Sequence, residues 1–193
     1  MRHPTITWRR LDLEGREAAT VDETGGGWHI AGVVELCEAN ARSCLAYSIE
    51  CTRGWETRSC EITGFVRDRP VAQSIDRNAA GAWTVDGTEV PAVDGCVDID
   101  LAFSPITNLL PIRRLKLQIG DSAHVRAAWL QFPELTLDVL EQTYSHVAAN
   151  RYQYESAGGA FRRELTVDDM GLIVEYQGLW TMTAVPPATA DNR

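Results

Sequence analysis

The stretch Cys96-Val97-Asp98-Ile99-Asp100-Leu101-Ala102-Phe103-Ser104-Pro105-Ile106-Thr107-Asn108-Leu109-Leu110-Pro111-Ile112-Arg113-Arg114-Leu115 decides the reading of this chain. Asp98 and Asp100 stand two apart in an alternating run, so in a strand both carboxylates share one face, about 7 Å apart, while Val97, Ile99 and Leu101 face a core. Such a pair could hold a metal, act as acid and base, grip sugar hydroxyls, or simply neutralise nearby arginines. Ser104-Pro105 and Leu110-Pro111 fix φ at two points around Thr107-Asn108, which makes a stiff loop. The Asn108 amide can close that loop or offer a donor and an acceptor outward. Arg113 and Arg114, read as the start of a strand over Arg113–Gln118, face opposite ways and cannot serve one ligand. One of them is expected to pair with Asp98 or Asp100 in the bidentate geometry that guanidinium favours. No helix is expected to extend far from Thr107–Leu110, since Pro111 disfavours the α region for Leu110.

Period-2 alternation extends outward from this core over Ile6–Leu11, Trp28–Leu36, Cys44–Thr52, Thr57–Val66, Val97–Ala102, Ala123–Phe132, Arg151–Ser156, Ala160–Thr166 and Leu172–Tyr176. Leu135–Val147 mixes the two periods and is read as a strand, with room for a short helix before Asn150. Turn residues punctuate these runs, among them Arg53-Gly54, Asp86-Gly87, Asp94-Gly95, Gly120-Asp121 and Gly158-Gly159. Tyr47-Ser48-Ile49-Glu50 and Tyr152-Gln153-Tyr154-Glu155 form a thin internal echo, the kind a duplicated β-meander leaves.

The central stretch, with Trp55-Glu56-Thr57-Arg58, Gly81-Ala82-Trp83, Gly95-Cys96, Tyr152-Gln153-Tyr154-Glu155, Val167-Asp168-Asp169-Met170-Gly171-Leu172-Ile173 and Tyr176-Gln177-Gly178-Leu179-Trp180, resembles the glycolipid-binding family of bacterial proteins. The resemblance spans about residues 28–181 and leaves out Gly25-Gly26-Gly27 and the tail after Trp180. It implies an all-β fold, a single-domain antiparallel spiral β-roll or curled sheet with few short helices, and binding of a glycolipid in its cleft.

With 193 residues and 45% hydrophobic content the chain can bury one sizeable core, so residues 1–193 are read as one domain. A net charge of −9 argues against nucleic acid, whose phosphates need clustered cations, and disfavours docking on anionic headgroups. No segment approaches the roughly 18 consecutive apolar residues of a membrane span. Met1–Arg10 lacks the apolar run of a signal peptide, so a cytoplasmic location is expected. Cys37, Cys44, Cys51, Cys60 and Cys96 contain no close pair and read as free thiols that fill the core. No cofactor or metal site is indicated.

Six tryptophans against four phenylalanines favour a ligand with sugar or amphiphile character, because an indole presents an apolar body and one polar edge. Trp55 and Trp83 are the two expected to face it, most of the others packing in the core. His3, His29, His124 and His146 show no catalytic spacing, and no Gly-x-Ser-x-Gly or phosphate-loop motif occurs. The expected ligand-binding set is therefore Trp55, Trp83, Asp98, Asp100, Asn108, Arg113 and Arg114, around a glycolipid or other amphiphile, with no catalytic residue. Two other readings stay open. One is a hydrolase or transferase on a sugar-containing substrate using Asp98 and Asp100, and the other is a protein-interaction module without a small ligand. Exposed edge strands would also allow a homodimer by edge pairing.

Overall fold

From Ala41 to Thr52 the residues Ser43, Leu45, Tyr47, Ile49 and Cys51 are buried, while Arg42 and Glu50 are exposed. This is the pattern of a strand with one face on a core and one in water. It recurs through a computed structural model that describes residues 5–183. Met1–Pro4, which includes His3 and the start of the segment read against a signal peptide, and the tail beyond Thr183 lie outside the described residues.

The first half of the chain forms β1 (Ile6–Arg10), β2 (Glu14–Thr24), β3 (Gly27–Glu38), β4 (Ala41–Thr52), β5 (Thr57–Val66), β6 (Arg69–Arg77), β7 (Trp83–Val85) and β8 (Thr88–Glu89). Then follow β9 (Asp98–Leu101) and the helix α1 (Leu109–Leu115). The second half forms β10 (Ser122–Leu130), β11 (Leu137–Ala148), β12 (Arg151–Ser156), β13 (Phe161–Val167), β14 (Ile173–Tyr176) and β15 (Trp180–Thr183). All belong to one 15-stranded sheet in the order β8-β7-β6-β5-β4-β3-β2-β1-β15-β14-β13-β12-β11-β10-β9. Sequential neighbours pair antiparallel, β1 pairs antiparallel with β15, and β9 alone runs parallel to its neighbour β10.

This arrangement corrects the expectation of an antiparallel spiral β-roll or curled sheet. The hydrogen-bonded order is linear and unclosed, with two unpaired end strands, and it contains a parallel pair. The physical reason lies at the two ends. β8 has only two residues, both exposed. On β9 the Ile99 amide donates to the Thr57 hydroxyl (3.0 Å) and the Leu101 amide to the Thr107 hydroxyl (3.3 Å). Threonine side chains thus occupy amides that another strand would need, which blunts the edge.

The Arg113–Gln118 strand is likewise corrected. Ile106–Asn108 forms a 3₁₀ turn that runs directly into α1, and every residue from Ile106 to Ile112 is buried. A segment buried at consecutive positions needs its backbone groups satisfied internally, which a helix does and an isolated strand does not. Pro111 is tolerated because it sits in the first turn, where its amide would have no helical acceptor. The Leu135–Val147 run is read correctly as a strand, but β11 begins at Leu137, after Leu135 turns at φ 55°, and continues to Ala148. β2, β6, β7, β8 and β15 were not among the strands expected.

The core is one cluster fed by both halves of the sheet and by the crossover, with Trp8, Ile30, Ile49, Trp83, Phe103, Leu110 and Tyr144 among its members. All five cysteines are free thiols. Burial pushes the Cys51 thiol up to about 12, so it is an unreactive core filler. Among the described residues no helix is long and apolar enough to cross a membrane.

Candidate functional site

The crossover from β9 through α1 gathers most of the residues singled out in the sequence. Arg114 donates from Nε to Asp98 Oδ1 (3.0 Å) and from a terminal nitrogen to Oδ2 (2.5 Å), a bidentate pair in which Asp98 is fully buried. Burial pushes the Asp98 carboxyl up against the pull of that guanidinium, whose own pKa the hydrogen bond raises. Asp100 keeps some accessible surface but is hemmed in by protein. Burial raises its carboxyl to about 6, opposed by a hydrogen bond from Gln142 (2.5 Å). Both carboxylates therefore have protein partners, and the buried Asp98 offers no free oxygen as acid or base.

Asn108 is buried and uses both ends of its amide. Nδ2 donates to the Pro105 carbonyl (3.1 Å), and Oδ1 accepts from the Tyr144 hydroxyl (2.9 Å). Trp83 is fully buried and donates its indole N–H to the Cys96 carbonyl (3.0 Å). Its place is the core beneath β7, away from α1. A further buried constellation joins the crossover to the first half of the sheet. The Ser104 and Tyr47 hydroxyls both donate to Glu17 Oε1, at 2.6 and 2.5 Å, while Oε2 is buried without a partner. Burial raises this carboxyl to about 7. Gly32 makes the arrangement possible, since a Cβ there would overlap the Tyr47 hydroxyl.

Trp55 and Arg113 do meet. Trp55 lies in the turn between β4 and β5 at φ 70°, and its amide donates to the Thr52 carbonyl (3.0 Å). A left-handed conformation is costly for a bulky residue, on the order of 1 kcal/mol or more. The packing holds it there. Trp28 stacks on one face, with ring centroids 4.2 Å apart and planes at 19°, and the Arg113 guanidinium lies 5.4 Å from the Trp55 ring.

Arg113 also lines a cleft of about 510 Å³ beside α1. One wall is α1 and its C-terminal Lys116, which adopts φ 50° to end the helix. The turn through Asp168, Asp169 and Gly171 forms another. It approaches closely because Gly171 has no side chain: a Cβ there would come within 3.1 Å of Ile112. The third wall is the β11–β12 hairpin, where His146 and Tyr152 are register partners and stack with centroids 4.4 Å apart and planes at 9°. His146 Nδ1 donates to the Leu117 carbonyl (2.8 Å), which fixes the ring and leaves Nε2 for other partners. At the lip, Ile119, which is 61% exposed, and the exposed Ala149 line the cleft.

Lys116, His146 and Tyr152 were not among the expected site residues. The stacking of His146 on Tyr152 depends on the hairpin register, which shifts between His146 and Ala148, and no local pattern announces that. The Tyr152-Gln153-Tyr154-Glu155 run was the one available signal.

The fold is thus an all-β sheet with one short helix and a polar, aromatic cleft beside that helix. The family described as "Putative glycolipid-binding" matches residues 5–182, and this chain belongs to it. The match begins well before the residue-28 limit seen in the sequence. A crystal structure of a DUF1089 family protein from Pseudomonas aeruginosa is similar, with 28% identity and a TM-score of 0.76 over 86% of this chain and 91% of that one. No curated protein matches the chain.

Proposed function

We propose that this protein binds a glycolipid or similar amphiphile without transforming it, with the headgroup in the α1 cleft. The observation that carries this reading is the pairing of a polar, aromatic floor with an apolar rim. Arg113, Asn150, His146 Nε2 and the Asp169 carboxylate are suited to sugar hydroxyls, and the His146–Tyr152 stack presents flat surface to a ring. Ile119 and Ala149 at the rim would cover the first part of an alkyl chain, each buried methylene contributing about 0.8 kcal/mol. Of the set expected from the sequence, Arg113 touches the ligand in this reading and Trp55 backs it. Asp98 and Arg114 hold α1 in place, Asp100 and Asn108 tie the crossover to Gln142 and Tyr144, and Trp83 belongs to the core.

Native mass spectrometry of the purified full chain, before and after incubation with bacterial lipid extract, tests the proposal. A mass increment that organic extraction releases as an amphiphile is expected, and its loss in Tyr152→Ala would locate it. A mass unchanged by lipid extract would overturn the reading and favour a protein-interaction module.

A further inference from the structure

Adjacent arginines on α1 meet different fates. Arg114 has its charge answered by Asp98. Arg113 forms no ion pair among the described residues, and its Nε is buried without an acceptor. A buried charged donor left unsatisfied is costly, and native proteins seldom keep one that nothing will bind.

We infer that the α1 cleft takes a ligand carrying an anionic group, a phosphate, sulfonate or carboxylate, and that Arg113 receives it. This deepens the amphiphile reading above and rests on it. The guanidinium fork matches such oxyanions bidentately. Its guanidinium already packs over Trp55, on which Trp28 stacks, so little side-chain freedom is lost on binding. Lys116 adds a second cation in the same cleft and, like Arg113, forms no ion pair among the described residues.

Two carboxylates also face this space. Asp168 Oδ1 accepts from the Met170 and Leu172 amides (2.9 Å each), which fixes it in its own turn. Asp169 is exposed, where solvent screens it within about 8 Å at physiological salt. Lys116 is exposed and screened in the same way, so Arg113, with its Nε buried, is the charge a ligand meets inside the cleft, although the whole chain carries −9.

Isothermal titration of the full chain tests this with three probes: a water-soluble short-chain glucosyl diacylglycerol, the same lipid with a sulfonated sugar, and inorganic phosphate. The sulfonated lipid is expected to bind about tenfold tighter than the neutral one, the equivalent of one charge-assisted hydrogen bond. Arg113→Gln is expected to abolish that preference, and Lys116→Gln to reduce it to about threefold. Lys116 is exposed at the helix end, so its variant carries the test if Arg113→Gln fails to fold. Equal affinity for the two lipids overturns the anion inference and leaves the amphiphile reading standing. Phosphate binding that matches the sulfonated lipid, lost in Arg113→Gln, supports the anion inference but overturns the amphiphile reading. Absence of binding to all three overturns both.

Discussion

On β3 to β6 the inward positions include Ile30, Leu45, Ile49, Cys60, Ile62 and Ile75, all without exposure, with Ser43, Tyr47 and Thr57 as the hydroxyl-bearing exceptions. On β11, β12 and β14 the inward positions include Gln142, Tyr144, Tyr154 and Tyr176. The first surface is mostly hydrocarbon, which packs without directional demands and is held by area removed from water. The second buries hydroxyl and amide groups, each of which needs a partner in a fixed place. Those partners come from the crossover: Asn108 accepts from Tyr144, and Asp100 accepts from Gln142, which also donates to Tyr154 (3.0 Å). Edge-on contacts of Tyr154 with Tyr144 and Tyr176, at 5.2 and 5.9 Å, add further geometric constraint. Positional precision is thus concentrated in the half that carries the cleft, as a site with placed polar groups requires.

The sharpest break of this contrast should come from Arg114→Met. It strands the buried Asp98 carboxylate, with an expected loss of about 4 kcal/mol in urea denaturation. Adding Asp98→Asn should recover much of it, and a double variant as unstable as the single one would contradict the account. Glu17 is the buried carboxylate among the inward residues of β2 to β6, and its signature is a pH slope. Its pKa is raised by burial from 4.5 to about 7, so the stability it contributes is complete below pH 4.5 and is lost as pH rises through 7. The linked change is about 3 kcal/mol. Glu17→Gln should reduce the loss of stability between pH 5 and 8, leaving the part that Asp100 contributes up to about pH 6, and a wild-type curve already flat there would refute the assignment.

Two single-atom deletions then compare the halves directly. Tyr144→Phe removes one oxygen and leaves Asn108 Oδ1 without its donor, for about 2 kcal/mol. Ile62→Val removes one carbon from the aliphatic side, for about 1 kcal/mol. Equal costs would erase the distinction between the two surfaces.

Alternation made much of the sheet legible, down to the ends of β5 and β12, which coincide with the runs Thr57–Val66 and Arg151–Ser156. β2 escaped notice because its inward triplet is Glu17, Ala19 and Val21. A carboxylate at a core position defeats a pattern that depends on apolar residues. β6 begins Arg69-Pro70 and buries only Ile75, so it too lacks a hydrophobic face. The helix at α1 was obscured by the opposite condition, an unbroken buried run from Ile106 to Ile112 that shows neither period. At the site, pairing between one arginine and one of the two aspartates followed from chemistry alone, and Arg114 with Asp98 is that pair. The cleft did not follow. Its walls come from α1, a hairpin more than thirty residues later and a turn beyond it, which only the fold brings together.

The overlapped indoles of Trp28 and Trp55 have an optical consequence. Two chromophores at 4.2 Å with nearly parallel planes share their excited states, and a chiral arrangement of that kind gives paired circular-dichroism bands of opposite sign. Because Arg113 rests on the same ring, any movement of its side chain should alter those bands. The protein therefore carries an unlabelled reporter of events in its own cleft, readable in dilute solution.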